Sequence, residues 1–105
     1  MKTVYFCGDS LARIQAFPVD VRQDAGFQIH KLQRGESPDD WKPLKTIGKG
    51  VREIRIKAER SHYRVMYLAN LPDAIYILHA FMKKTRKTKK SDIDLARKRL
   101  RNLGE

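Results

Sequence analysis

The sequence is short of what disulfide, metal and membrane chemistry need. One cysteine, Cys7, stands among 105 residues. No internal disulfide can form, and Cys7 reads as a partly buried free thiol in a cytosolic protein. Nothing near it in sequence would lower its pKa, which argues against a catalytic thiolate. The three histidines, His30, His62 and His79, are too scattered to make a ligand pair. No apolar run approaches the roughly 20 residues that span a bilayer. Residues 1–9 lack the apolar stretch of a secretion signal. A cytoplasmic chain is expected, with no membrane partner, metal or other cofactor. No phosphate-cradling glycine loop occurs, because Gly48-Lys49-Gly50 is too short and suits a hairpin turn. Acidic residues are also scarce: 12 Asp and Glu stand against 23 Lys and Arg, a formal net charge of +11.

That excess is what the chain does have, and a domain this small and this basic usually meets polyanions. The excess is uneven. Residues 83–105 hold ten basic and three acidic groups. Within them runs Lys83-Lys84-Thr85-Arg86-Lys87-Thr88-Lys89-Lys90, with no acid before Asp92. This run is not interleaved with large apolar groups, so a membrane-surface helix is the weaker reading. With 41% hydrophobic residues the chain can still bury a modest core, and its length suits one domain over 1–105.

The periodicity predicts an α+β fold. Lys2–Phe6 is a short first strand. A short helix through Leu11, Ala12 and Ile14 follows, capped by Asp9 or Ser10. Pro18 suits the first position of a second helix over about 19–33, where Val21, Ala25, Ile29 and Leu32 recur at helical spacing. Gly35 stops it. Residues 35–43 read as a loop anchored by Trp41, and Pro43–Ile47 as a short strand. From Val51 to Ala58 the period is two, with Arg52, Ile54, Ile56 and Ala58 on one side and Val51, Glu53, Arg55 and Lys57 on the other. Residues 59–62 connect to a strand over Tyr63–Ala69. Asn70–Asp73 is a turn, and Ala74–Met82 a last strand. Short connections imply antiparallel pairing. Ser91 then caps a helix in a capping-box-like Ser-Asp-Ile-Asp, with an apolar stripe of Ile93, Ala96, Leu100 and Leu103. The expectation is an N-terminal strand and helical hairpin beside a small, single-layer antiparallel sheet of about four strands, with a C-terminal helix.

The candidate site is a set of cations. Arg55 and Lys57 share a strand face, and Lys83 and Lys84 sit where the last strand emerges. Arg64 is the single charge in an apolar strand, where it must pair or reach a groove. If these strands are neighbours, the cations can converge, grip an RNA backbone and stabilise charge on a phosphorane-like transition state. The plainer reading makes Arg55 and Lys57 solvated charges and pairs Arg64 with Glu53 or Glu59. Arg86, Lys87, Lys89 and Lys90 would grip phosphates or remain solvated. The histidines read as bystanders: His79 a satisfied strand imidazole, His62 a solvated loop residue, His30 a helix-end residue favoured by the dipole.

The motifs Glu53-Ile54-Arg55, Tyr63-Arg64-Val65-Met66-Tyr67 and Leu78-His79-Ala80-Phe81-Met82-Lys83-Lys84-Thr85, with the tail Asp94-Leu95-Ala96-Arg97, resemble the phage-derived, HigB-like branch of the RelE toxin superfamily. The resemblance covers nearly the whole chain. It implies a RelE-like fold and a type II toxin: an endoribonuclease that cuts mRNA on the ribosome and is held inactive by a helix-turn-helix, HigA-like antitoxin. The implied chemistry is metal-free attack of a ribose 2′-hydroxyl on the adjacent phosphate. It assigns Arg55, Lys57, Arg64 and Lys84 to catalysis, with Lys83 beside Lys84; the basic run itself makes Lys83, Arg86, Lys87, Lys89 and Lys90 the candidates for RNA contact. Lys57 is a candidate general base. Two departures matter: RelE carries a tyrosine shortly after its last strand, and residues 85–92 here contain none; some HigB relatives use His and Asp near that point, where this chain has His79, several residues early, and Asp92 and Asp94 in a helix cap. A non-catalytic ribosome- or nucleic-acid-binding module, partnering a helix-turn-helix regulator, explains the same charge.

Overall fold

The computed structural model describes residues 1–104. The element order is β1 (Thr3–Phe6), α1 (Ser10–Gln15), α2 (Val19–Gln33), β2 (Trp41–Pro43), β3 (Val51–Ala58), β4 (Ser61–Leu68), β5 (Ala74–Lys83) and α3 (Lys90–Leu103). The fold is α+β, with one five-stranded sheet in the order β1-β5-β4-β3-β2.

Helix α2 runs as the spacing predicts. Val21, Ala25, Ile29 and Leu32 are buried against Ile54, Ile56, Val65, Tyr67, Ile75 and Ile77. Each Val, Leu or Ile side chain so withdrawn from water stabilises the fold by roughly 1.5–3 kcal/mol before entropy is counted. Gly35, at φ +80°, ends the helix in a Schellman motif. Its N–H donates to the Leu32 carbonyl at 3.0 Å, and that of Glu36 to Lys31 at 2.9 Å.

Four expectations are corrected. The sheet is mixed and has five strands, because β1 joins it parallel to β5, Thr3 opposite Ala74 and Phe6 opposite Ile77. It is covered on both faces rather than one. The α1–α2 hairpin packs on one side, and Ile93, Ala96 and Leu100 of α3 pack on Val51, Met66, Leu68, Leu78 and Phe81 on the other. The extra edge strand is Trp41–Pro43, not Pro43–Ile47. Arg52 lies 4.4 Å over the Trp41 ring, so Trp41 anchors a strand rather than a loop. Ser91 does not cap α3. The helix starts two residues earlier, Lys89 is the N-cap, and no side chain caps it.

A bulge shapes β5. Met66 faces His79 and Tyr67 faces Ile77, which leaves Leu78 without a partner on β4. Its carbonyl is taken by α3, with Arg99 Nη1 donating at 2.9 Å. Arg99 Nη2 donates to Asp9 Oδ1 at 2.6 Å. Hydrogen bonds from Arg99 and then Arg13 pull the Asp9 carboxyl down to about 2. Gly8, at φ +53°, sits under this guanidinium, where a Cβ would lie 2.6 Å from Arg99. The tail helix is thereby fixed across half of one sheet face.

Candidate functional site

The other half of that face is open and cationic. Register places its side chains in rows across three adjacent strands. Lys57 faces His62, which faces Lys83; Arg55 faces Arg64, which faces Phe81; Glu53 faces Met66, which faces His79. The apolar members, Met66 and Phe81, join the core beneath α3. The first row and Arg55 lie beyond it, with Lys57 and His62 exposed and Lys83 and Arg55 half-buried.

Arg55 and Arg64 are like charges directly opposite each other, a destabilising arrangement on its own. Glu53 resolves it. Two residues before Arg55 it points to the same face, with Oε2 3.8 Å from Arg55 Nε and Oε1 3.6 Å from Arg64 Nε. Glu53 and Arg64 are 6% and 5% exposed and Arg55 is half-buried, so this Arg–Glu–Arg triad is buried at two of its three members. Its charges are paired, but Glu53 Oε1 and both Nε atoms lack a hydrogen bond at these distances. Arg64 Nη1 donates to the Tyr63 carbonyl at 3.1 Å. Burial lowers the Arg64 pKa, with Glu53 acting the other way; a guanidinium still keeps its proton at neutral pH. Of the two alternatives open for Arg64, pairing with Glu53 holds and Glu59 is excluded. Pairing and reaching a groove are compatible, because Arg64 also lines two clefts.

The first cleft, about 520 Å³, lies between β4 and the segment after β5. Arg60, Arg64, Lys83, Lys84 and Arg86 line it with Ser61, His62 and Thr85, and no acid does. The second, about 250 Å³, is lined by Arg55, Lys57, His62 and Arg64, with Asp40 as its only acid. His62 and Arg64 line both and divide them. A third, about 440 Å³, continues past Lys83 and Lys84 to Lys89, Ser91 and Asp92. Of the sequence-predicted residues, Arg55, Lys57, Arg64, Lys83, Lys84, Arg86 and Lys89 therefore line one continuous basic surface. Lys87 and Lys90 are exposed and line none of these clefts.

Two residues at the site escaped the sequence reading. Glu53 was visible there only as a possible partner of Arg64. His62 is not in a hairpin loop; it is the second residue of β4, because the turn is only Glu59-Arg60 and Glu59 takes φ +41°. The strand propensities of Ser61 and His62 carry no signal strong enough to place the turn that tightly.

His79 is partly as expected. Its Nε2 donates to Asp92 Oδ1 at 2.7 Å and its ring stacks on Phe81 at 5.1 Å, but its buried Nδ1 has no partner. The bond ties the first turn of α3 to the sheet, and the capping box fails because Ser91 lies inside the helix rather than at its N-cap. Burial lowers the His79 pKa, although Asp92 raises it. The neutral imidazole is thus favoured in the fold, whereas the unfolded chain takes up a proton below about 6.5. The unfolded state then binds more protons, so this contribution is full above about pH 6.5 and is lost as pH falls towards the folded value, by at most about 1.4 kcal/mol per pH unit. Urea midpoints between pH 7 and pH 5 are expected to fall, and to fall less in His79→Gln. An equal fall in both proteins refutes the assignment.

Among the described residues no helix is long and apolar enough to cross a membrane. No curated protein matches the chain. A sequence model of a family described as Phage derived protein Gp49-like (DUF891) matches residues 12–101, from α1 through nearly all of α3 and across every cleft described above. The family is linked to RelE-like toxins of toxin–antitoxin systems. With most of its length matched, this chain belongs to the Gp49-like family of phage-derived proteins.

Proposed function

We propose that this chain is the toxin of a type II toxin–antitoxin pair of the HigB-like kind: a metal-independent endoribonuclease that cuts mRNA on the ribosome and stops translation. The observation that carries the reading is the cationic half-face, where Arg55, Lys57 and Arg64 on neighbouring strands meet Lys83 and Lys84 at the end of β5. Strands hold such groups more rigidly than loops do. In the reaction a ribose 2′-oxygen forms a bond to phosphorus, the bond from phosphorus to the 5′-oxygen breaks, and a 2′,3′-cyclic phosphate and a 5′-hydroxyl result. Arg64 and Lys84 stabilise the added charge on the phosphoryl oxygens, and Arg55 and Lys57 hold the substrate from the β3 side. Lys83, Arg86 and Lys89 bind flanking phosphates, with Lys87 and Lys90 adding long-range attraction. The partner that silences it is a helix-turn-helix, HigA-like antitoxin, and the site of action is the cytoplasm.

The test is induced expression with transcript-end mapping, with and without the neighbouring gene. Growth arrest with new 5′-hydroxyl ends inside coding sequences is expected, relieved by the partner. A second reading draws on the burial of Arg64 against Glu53 and the missing tyrosine: a non-catalytic module that binds ribosomes or nucleic acid and partners a regulator. Salt-sensitive ribosome association without new transcript ends would establish it instead.

A further inference from the structure

We propose that His62 is the proton acceptor of this cleft, a catalytic role that rests on the ribonuclease reading above. An arginine keeps its proton at neutral pH and a lysine ordinarily does so too, so neither is a ready base; an imidazole exchanges one there. The clefts on either side of β4 share two side chains, His62 and Arg64. Arg64 cannot serve as a base, which leaves His62. It is exposed and stands in register between Lys57 and Lys83, so a phosphate drawn to that row lies beside the ring. His79, by contrast, borders only the third cleft, is 1% exposed and has its Nε2 committed to Asp92.

The charged groups around His62 are cationic apart from Asp40. Lys57 faces it from β3 and Lys83 from β5, and Arg60 and Arg64 flank it on its own hairpin. Lys84 and Arg86 lie across one cleft and Asp40 across the other. His62 takes the proton of the 2′-hydroxyl as the bond from that oxygen to phosphorus forms. The electron pair of the breaking bond leaves with the 5′-oxygen, which takes a proton from the Lys84 ammonium. Water then carries a proton from His62 to Lys84, and both return to their starting state.

The test is single-turnover cleavage of a defined mRNA on bacterial ribosomes by purified protein, followed from pH 5 to pH 9. In the wild type the rate is expected to fall on the acid side as one group is protonated. His62→Gln is expected to cut at least about 100-fold more slowly, without that acid limb, while binding programmed ribosomes within about 2-fold of the wild type. Free imidazole is expected to restore part of the rate to His62→Ala. A His62→Gln protein that cuts at the wild-type rate with the acid limb intact overturns the role of His62 and leaves the ribonuclease reading standing. A wild type that cuts nothing overturns both.

Discussion

Glu53→Ala is expected to lower the stability of the fold by about 3–5 kcal/mol, the usual cost of breaking a buried ion pair by removing one partner. The reason lies in the register. Arg55 and Arg64 stand opposite each other, and Glu53 lies 3.8 Å from one and 3.6 Å from the other. Alanine leaves two like charges facing each other, with Arg64 only 5% exposed. Urea denaturation of wild type and variant reads the difference directly, and at this chain length the Tm is expected to drop by more than about 10 °C. A loss below about 1 kcal/mol would mean that solvent already screens the triad. Glu53→Gln keeps the shape and a hydrogen-bonding oxygen but removes the charge, so it is expected to fall between the two.

The second large effect concerns activity, and it separates function from folding. Arg64→Ala alone is an ambiguous test, because it strands the Glu53 carboxylate that Arg64 covers. Replacing the whole triad with apolar residues of similar size, as Glu53→Leu, Arg55→Met and Arg64→Met together, removes the charges and the cost of burying them. Such exchanges are often neutral or stabilising, so the triple variant is expected to melt within a few degrees of wild type. Its cleavage, measured on ribosomes, is expected to fall by at least about 1,000-fold, since donors aimed at the developing charge each contribute 100- to 1,000-fold. A triple variant that folds and still arrests growth would remove the cationic half-face from the reaction. The outcome also bears on why the triad exists. A buried charge that adds little stability is retained for what it does at the surface it borders.

Regularity within a segment is written in the sequence, and contact between segments is not. Helix α2 was legible to the residue, and β3 likewise, because each depends on contacts repeated within one segment: period 3.6 for Val21, Ala25, Ile29 and Leu32, period two for Val51 to Ala58. The cations of the open face were legible one by one, since a lone Arg64 in an apolar strand has to be explained. The overall basic charge and the family resemblance were likewise properties of the chain read end to end.

Contacts between segments were not legible, and they decide the site. The parallel seat of β1 against β5 joins residues some seventy positions apart, and nothing in Thr3–Phe6 encodes its partner. The bulge at Leu78 shifts the register of β5 by one residue, and with it which side chains share a face. Ser91 had the residue type for a cap, but a helix start on paper cannot show that His79, buried in β5, takes the Asp92 carboxylate. His62 was a bystander until a two-residue turn brought it into β4 between Lys57 and Lys83. The sequence by itself determined the longer helices and strands, though not the edge strand or every boundary, and the sign of the charge, because these follow from local composition and period. Only the tertiary structure decided that one carboxylate holds two opposed arginines and that an imidazole stands among the lysines, because cross-strand register is set by turns and bulges that no single segment contains.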